Sequence, residues 1–127
     1  MKDAFEQFME IGRKGIEYDP WVEDTGIEGY CKEIMKEVKE LTEAVEKQDY
    51  ANMKEELGDV FMDWLNICLL AEKDGIFSVK EIINDVRKKV ERRKPYLLEN
   101  KKVTRKKALE IWYKAKEKEK IESETPL

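Results

Sequence analysis

The sequence contains no histidine among its 127 residues. This absence excludes Ser-His-Asp and Cys-His nucleophilic systems, zinc sites with histidine ligands, and di-iron bundles of the Glu-x-x-His type. Cysteine is also scarce: Cys31 and Cys68 form no C-x-x-C pair, and we interpret them as core residues of a reducing compartment. Any catalysis must therefore depend on carboxylates, together with a hard metal ion that prefers oxygen ligands.

Glycine and proline number only 6 and 3, and their scarcity predicts a helix-rich protein because both residues interrupt helices. The longest apolar run, Ile67–Ala71, is too short to cross a bilayer, and the first residues lack the apolar core of a signal peptide. These features predict a cytoplasmic protein without a membrane partner.

Charged residues make up 43% of the chain, and 29 acidic against 25 basic residues give a net charge of −4. Because the two signs are intermixed, the chain as a whole has no basic field, and we expect no polymeric nucleic acid as a partner. The length indicates one domain, which we assign to residues 1–121, followed by a flexible tail at 122–127.

Apolar residues recur at helical spacing over most of the chain. The pattern predicts three helices, at about 3–14, 27–46 and 50–72, with an irregular segment at 15–26. A fourth helix is expected to open with the Ser78–Glu81 capping box and to stop at Pro95, and a last helix is expected to be capped by Thr104. The second and third helices have predicted buried stripes consisting of Tyr30, Ile34, Val38, Leu41 and Val45, and of Met53, Leu57, Val60, Trp64, Cys68 and Ala71. We therefore expect an all-α helical bundle built on an antiparallel helix pair.

The second and third helices each carry an acidic row on the same flank of the apolar stripe. In an antiparallel pair, residues equally distant from Gln48 lie level with each other, so Glu37 pairs with Asp59 and Glu40 pairs with Glu56. Four carboxylates this close would repel one another, and a divalent cation would remove the repulsion. A solvated acidic surface whose acids pair with neighbouring lysines is the alternative.

The segment Glu37–Glu40, of the form E-x-x-E, is followed after fifteen residues by Glu56–Asp59, of the form E-x-x-D. These two segments resemble the signature of the MazG family of nucleoside triphosphate pyrophosphohydrolases. Pro20-Trp21, Ala71–Phe77 and Arg92–Pro95 are similar to further family segments, so the resemblance covers about 20–96.

The chain departs from the family pattern at four positions: Lys36 stands where the family has the first glutamate of a doubled pair, Asp19 replaces a cysteine, and Lys94 and Tyr96 replace histidines. The change at Lys36 affects the expected number or strength of bound metal ions.

The resemblance implies an enzyme that cleaves NTP or dNTP between the α and β phosphates to give a monophosphate and pyrophosphate, with cleansing of the nucleotide pool as an expected role. It also implies a homodimer or homotetramer, and Mg²⁺, with Mn²⁺ as a substitute, held by Glu37, Glu40, Glu56 and Asp59. Of these, Glu40 is the favoured general base because it lies farther from the apolar stripe than Glu37.

The remaining candidate residues each have an alternative explanation. Lys89, Arg92 and Arg93 are expected to bind phosphate, although cations also suit the end of a helix. Trp21 can stack on the base or serve as a core aromatic residue.

Asp63 and Asn66 extend the acidic row, where they can support the metal ligands or merely face solvent. Two rival functions stay open: a non-catalytic helical interaction module, and a nucleotide-binding module without turnover.

Overall fold

The computed structural model of the chain describes residues 1–124. Within this range the secondary structure is entirely helical, which confirms the all-α prediction. The elements are α1 (Lys2–Tyr18), α2 (Pro20–Glu46), α3 (Tyr50–Lys73), α4 (Val79–Arg93), a 3₁₀ turn (Pro95–Leu97) and α5 (Arg105–Glu124). None of these helices combines the length and the apolar character that a membrane span requires.

The described residues fall into two compact units, Met1–Val79 and the segment from Lys80 onward. The assignment of 1–121 to a single domain stays a prediction. Helix α5 runs to Glu124 and so extends into the predicted tail at 122–127, of which 125–127 lie outside the described residues.

The predicted irregular segment at 15–26 is wrong, because α1 continues to Tyr18 and α2 begins at Pro20. Asp19 separates the two helices in an extended conformation, and its side chain accepts a hydrogen bond from the Trp21 backbone N–H at 2.9 Å. Proline suits the first helical position because its missing N–H would have no partner there. The only interruption inside α2 is Gly26, whose φ of 66° and ψ of 177° are accessible to glycine alone without strain.

Helices α2 and α3 form the predicted antiparallel pair around the short turn at 47–49. Gln48 adopts a positive φ of 55° in this turn. Asp49 then caps α3, since its side chain accepts a hydrogen bond from the Asn52 backbone N–H at 3.2 Å. The turn sets the register between the two helices.

Helix α1 packs on α3 at Gly12. A Cβ atom on Gly12 would lie 2.9 Å from Leu65 Cδ2 and 3.0 Å from Leu69 Cδ1. These two leucines are 0% and 2% exposed, the most deeply buried large side chains among the described residues. The close approach of α1 therefore decides which face of α3 becomes the core.

This packing overturns part of the predicted buried stripes. Tyr30, Cys68 and Ala71 are buried as predicted. Cys31 is exposed, so the prediction that it is a core residue is wrong. In contrast, Val38, Val45 and Leu57 are 43%, 48% and 47% exposed. Helix α1 covers the Leu65 and Leu69 face of α3, and Val38, Val45 and Leu57 lie outside the core that forms there.

In the second unit, side chains join α4 to α5. Glu119 of α5 accepts hydrogen bonds from Arg92 Nη2 at 2.6 Å and from Arg93 Nε at 3.1 Å. The predicted cap of α5 is confirmed, since Thr104 Oγ1 accepts a hydrogen bond from the Lys107 backbone N–H at 3.2 Å.

Candidate metal centre

Three carboxylates from the α2–α3 pair converge at one point. Glu37 of α2 meets Glu56 and Asp59 of α3, and one oxygen from each lies within 4.8 Å of the others. Glu56 and Asp59 share a face of α3 because three residues correspond to nearly one helical turn. The level pairing that the sequence predicts for Glu37 and Asp59 thus appears in the structure.

The group has buried oxygens that lack hydrogen-bond partners. Glu56 is 8% exposed, Glu37 is half-buried, and Asp59 faces solvent. The Oε2 atoms of Glu37 and Glu56 are both buried without a hydrogen-bond partner in the described part of the chain. Because an unpartnered buried oxygen is costly, this donor set fits a hard divalent cation that takes oxygen ligands.

The two glutamates compete for one proton. A hydrogen bond with Glu37, followed by burial and the Glu37 charge, raises the pKa of Glu56. The same hydrogen bond acts to lower the pKa of Glu37, but burial and the charges of Glu40, Asp59 and Asp63 outweigh it, so the Glu37 pKa is also raised. Without a cation, the raised pKa values of both glutamates favour a pair that shares one proton.

Glu40 lies outside the group of three and is exposed. It still reaches Glu56, since a hydrogen-bonding interaction with Glu40 acts to lower the Glu56 pKa, and the Glu40 charge acts to raise that of Glu37. The structure thus places Glu40 beside Glu56, as the level pairing predicts, but more open to solvent than the other glutamates.

Asp63 and Asn66 continue the polar row along α3. Asp63 Oδ2 and Asn66 Oδ1 are buried without a hydrogen-bond partner among residues 1–124, and Asn66 as a whole is 4% exposed. Burial raises the pKa of Asp63, and the charges of Glu33 and Asp59 add to this effect. The alternative that Asp63 and Asn66 merely face solvent is therefore wrong for the described chain, because each has a buried side-chain oxygen.

Lys36, which departs from the family pattern, pairs with an acid of its own helix. Its Nζ atom lies 3.4 Å from Glu33 Oε1, and both side chains are substantially exposed. Exposed pairs of this kind contribute little to stability.

Trp21 is 74% exposed in the first turn of α2, so the core-aromatic alternative is wrong for the described chain. Together with Pro20, Asp24 and Thr25 it lines an open cleft of about 440 Å³. The stacking of Trp21 on a nucleotide base stays a prediction.

The three predicted phosphate ligands all belong to the second unit. Arg92 and Arg93 are bound to Glu119, and the Arg93 guanidinium also lies 4.8 Å from the centroid of the Trp112 ring. Lys89 is exposed and has no ion pair within the described residues. Sequence reasoning missed Glu119 as a partner because it lies on a separate helix, with no local spacing signal that links it to the arginines.

Comparison with known proteins gives consistent matches. Residues 25–98 match the family model of the MazG nucleotide pyrophosphohydrolase domain. The uncharacterised protein YabN of Bacillus subtilis is 31% identical over 109 residues, which cover 85% of this chain and 22% of YabN. The nucleoside triphosphate pyrophosphohydrolase/pyrophosphatase MazG of Thermotoga maritima is 30% identical over 105 residues, which cover 76% of this chain and 40% of that protein. The chain therefore spans less than half the length of these two curated relatives.

Among solved structures, the crystal structure of a mazG-related protein from Thermotoga maritima superposes with a TM-score of 0.83. The two chains are 33% identical, and the match covers 88% of this chain and 98% of that one.

Proposed function

The chain belongs to the MazG nucleotide pyrophosphohydrolase family, and on this basis we propose that it is a Mg²⁺-dependent enzyme that cleaves NTP or dNTP between the α and β phosphates. The products are a nucleoside monophosphate and pyrophosphate. The observation that carries this proposal is the convergence of Glu37, Glu56 and Asp59, with two buried oxygens that lack a hydrogen-bond partner in the described chain. Buried oxygens without hydrogen-bond partners are costly, and a bound cation would compensate this cost.

Glu37, Glu56 and Asp59 would hold the ion, with Glu40 as the fourth ligand. An all-oxygen donor set suits Mg²⁺, and Mn²⁺ is the expected substitute. When bound, the ion would neutralise the polyphosphate and lower the pKa of the attacking water. Ligation requires the carboxylate form of Glu56, and the raised pKa of Glu56 opposes this form without the ion.

Glu40 is the proposed general base. It is exposed and lies outside the compact group of three, so one of its oxygens can accept the proton of an attacking water. Asp63 and Asn66 would support the ligands from the next turns of α3, where their unpartnered oxygens can accept hydrogen bonds.

Trp21 is the proposed stacking residue for the base, since its ring is exposed and lines an open cleft. Lys89, Arg92 and Arg93 stay the predicted phosphate ligands. Of these, Lys89 is the first to test, because the two arginines are already bound to Glu119.

We also propose assembly into a homodimer or homotetramer. The exposed faces of α2 and α3 carry large apolar side chains, among them Val38, Val45, Leu57 and Phe61, which are 40–48% exposed. A second copy of the chain that covered these side chains would remove them from water. The proposed setting is the cytoplasm, where a nucleotide pool is available for cleansing and where free cysteines such as Cys31 and Cys68 stay reduced.

The test of this proposal is product identity over a panel of NTPs, dNTPs and damaged nucleotides, followed by phosphorus NMR with and without Mg²⁺. We expect pyrophosphate and a monophosphate as the first products, and no turnover with excess chelator. Orthophosphate and a diphosphate as first products would contradict the proposed cleavage position. Full turnover in chelator would contradict the metal dependence.

A further inference from the structure

The acidic row on α2 and α3 continues beyond the three converging carboxylates. Glu33 lies fifteen positions before Gln48, and Asp63 lies fifteen positions after it. The two residues are therefore level in the antiparallel pair, by the same geometry that brings Glu37 to Asp59. Asp63 is four residues from Asp59, which is about 6 Å along the axis of α3. Glu33 and Asp63 thus form a separate level of the row and belong to neither the E-x-x-E nor the E-x-x-D segment.

The charges of Glu33 and Asp63 act on each other and on a buried tyrosine. Burial raises the pKa of Asp63, and the charge of Glu33 raises it further, ahead of the charge of Asp59. Burial also raises the pKa of Tyr30, and nearby acids that include Asp63 and Glu33 add to this effect. Tyr30 is 7% exposed and lies one turn before Glu33 on α2. The two carboxylates are therefore close enough to repel each other, next to a buried side chain.

Asn66 brings an unpartnered amide oxygen to the same face. It lies three residues beyond Asp63, so the two side chains leave α3 on one side. Asn66 is 4% exposed, and its Oδ1 atom is buried without a hydrogen-bond partner in residues 1–124. The same holds for Oδ2 of Asp63. Because nearly all buried polar side-chain atoms have a partner, these two oxygens indicate a ligand that the described chain does not supply.

The chemistry of this level favours a cation as that ligand. A buried water could donate hydrogen bonds to both oxygens, but it would leave the repulsion between Asp63 and Glu33 in place. A hard divalent cation would satisfy the oxygens and also remove the repulsion, and Ca²⁺ commonly takes carboxylate oxygens together with the amide oxygen of asparagine. Glu33 can take part, since its ion pair with Lys36, at 3.4 Å, is exposed and contributes little to stability.

We propose that Glu33, Asp63 and Asn66 form a second cation site, which binds a hard divalent ion such as Ca²⁺ without nucleotide. The bound ion ties α2 to α3 about one turn beyond the metal centre of Glu37, Glu56 and Asp59. This site differs from mere support of those ligands, because it raises the number of ions that the chain binds. It does not depend on the proposed hydrolysis.

The test counts the ions that the full chain binds without nucleotide. Isothermal titration calorimetry with Ca²⁺ should give two ions per chain for the wild type. The double variant Glu37→Gln/Glu56→Gln should keep one ion, because it removes two carboxylates from the metal centre proposed above and leaves the second site intact. The double variant therefore allows the second site to be measured by itself.

Two further substitutions in the double variant locate the second site. Asp63→Asn and Asn66→Leu should each lower the remaining Ca²⁺ affinity by at least about tenfold, since each removes an oxygen ligand or its charge. Asp85→Asn is the matched control, because it makes the same replacement at an exposed position of α4, and it should change the affinity by less than about twofold. Circular dichroism checks folding, and Asp63→Asn decides the question if Asn66→Leu does not fold.

The proposal is overturned if the wild type binds one Ca²⁺ ion and the double variant binds none. It is also overturned if Asp85→Asn weakens binding as much as Asp63→Asn, which would mean diffuse attraction to an acidic protein. A third contrary result is an unchanged affinity of the double variant after Asp63→Asn and Asn66→Leu, because the remaining ion would then lie elsewhere.

Discussion

The carboxyl groups of Glu37 and Glu56 meet across the α2–α3 pair, with one oxygen of each within 4.8 Å of the other, and each keeps one buried oxygen without a hydrogen-bond partner in the described chain. Two carboxyl groups can face each other in this way only if one of them holds a proton. Without a cation the two groups would share a proton, and in the proposed metal centre they would become a ligand pair when the proton leaves.

The first prediction concerns activity. The variants Glu37→Gln, Glu40→Gln, Glu56→Gln and Asp59→Asn should each lower kcat/KM for nucleotide hydrolysis by at least about 100-fold, because each keeps the size of the side chain but removes a charge from the proposed metal centre. Steady-state assays of pyrophosphate release provide the measurement.

The control for this series is Glu43→Gln, an exposed residue of α2 outside the acidic row, which should stay fully active. Combined variants should lose little more than single ones, because the first loss already disables the centre. Near-complete activity in the four single variants would refute the assignment, and so would inactivity that circular dichroism traces to unfolding.

The second prediction concerns the link between metal, proton and stability. Since burial and the Glu37 hydrogen bond raise the Glu56 pKa, metal binding must displace a proton and should weaken as the pH falls below that raised value. Calorimetric titration of Mn²⁺ in buffers of different ionisation enthalpy should detect the released proton.

The same pair predicts opposite effects of Glu56→Gln with and without metal. In chelator the variant should melt at the wild-type temperature or above, because glutamine removes one of several neighbouring acids that repel one another. With excess Mn²⁺ only the wild type should gain stability by mass action. A variant that unfolds in chelator would show that the carboxyl group has a structural role instead.

The third prediction concerns acid stability away from the metal centre. The Glu72 carboxylate accepts a hydrogen bond from Arg13 and a second one from the Val79 backbone N–H, and these bonds hold its pKa below the ordinary value of 4.5. A carboxylate with a lowered folded-state pKa stabilises the fold above its unfolded-state pKa, and this contribution is lost as the pH falls through the folded-state value.

Glu72→Gln should therefore lower the free energy of unfolding by about 1 kcal/mol at neutral pH and by progressively less as the pH falls through the folded-state pKa of Glu72. Urea denaturation at a series of pH values provides the measurement. Glu10→Gln is the control, because the Glu10–Lys14 pair spans 3.8 Å between largely exposed side chains and should contribute little at any pH. A pH-independent loss in Glu72→Gln would indicate lost packing instead of a lost ion pair.

The fourth prediction concerns the contact of α1 with α3. Gly12→Ala should destabilise the fold by about 1–3 kcal/mol, since the added Cβ would overlap Leu65 and crowd Leu69, and both are enclosed by the core. Gly58→Ala is the matched control within α3, where a Cβ atom meets no described heavy atom within 4 Å, and it should stabilise the fold by about 0.5–1 kcal/mol. Equal effects of the two substitutions on the thermal midpoint would contradict the packing.

The sequence by itself determined the all-α class, the α2–α3 hairpin and the level of each acidic residue along the axes of these two helices. Helical periodicity fixes the angle of each side chain, and the short turn at 47–49 fixes the register, so the meeting of Glu37 with Asp59 follows from local geometry. The same geometry places Glu40 beside Glu56.

Only the tertiary structure decided which apolar residues form the core and which basic side chains pair with an acidic residue on another helix. Leu65 and Leu69 became the core because α1 approaches through Gly12, whereas Val38 and Leu57 stayed half-exposed. Contacts such as that of Arg92 with Glu119 join separate helices. Their formation depends on how whole helices pack, and the spacing of residues along one helix carries no information about that packing.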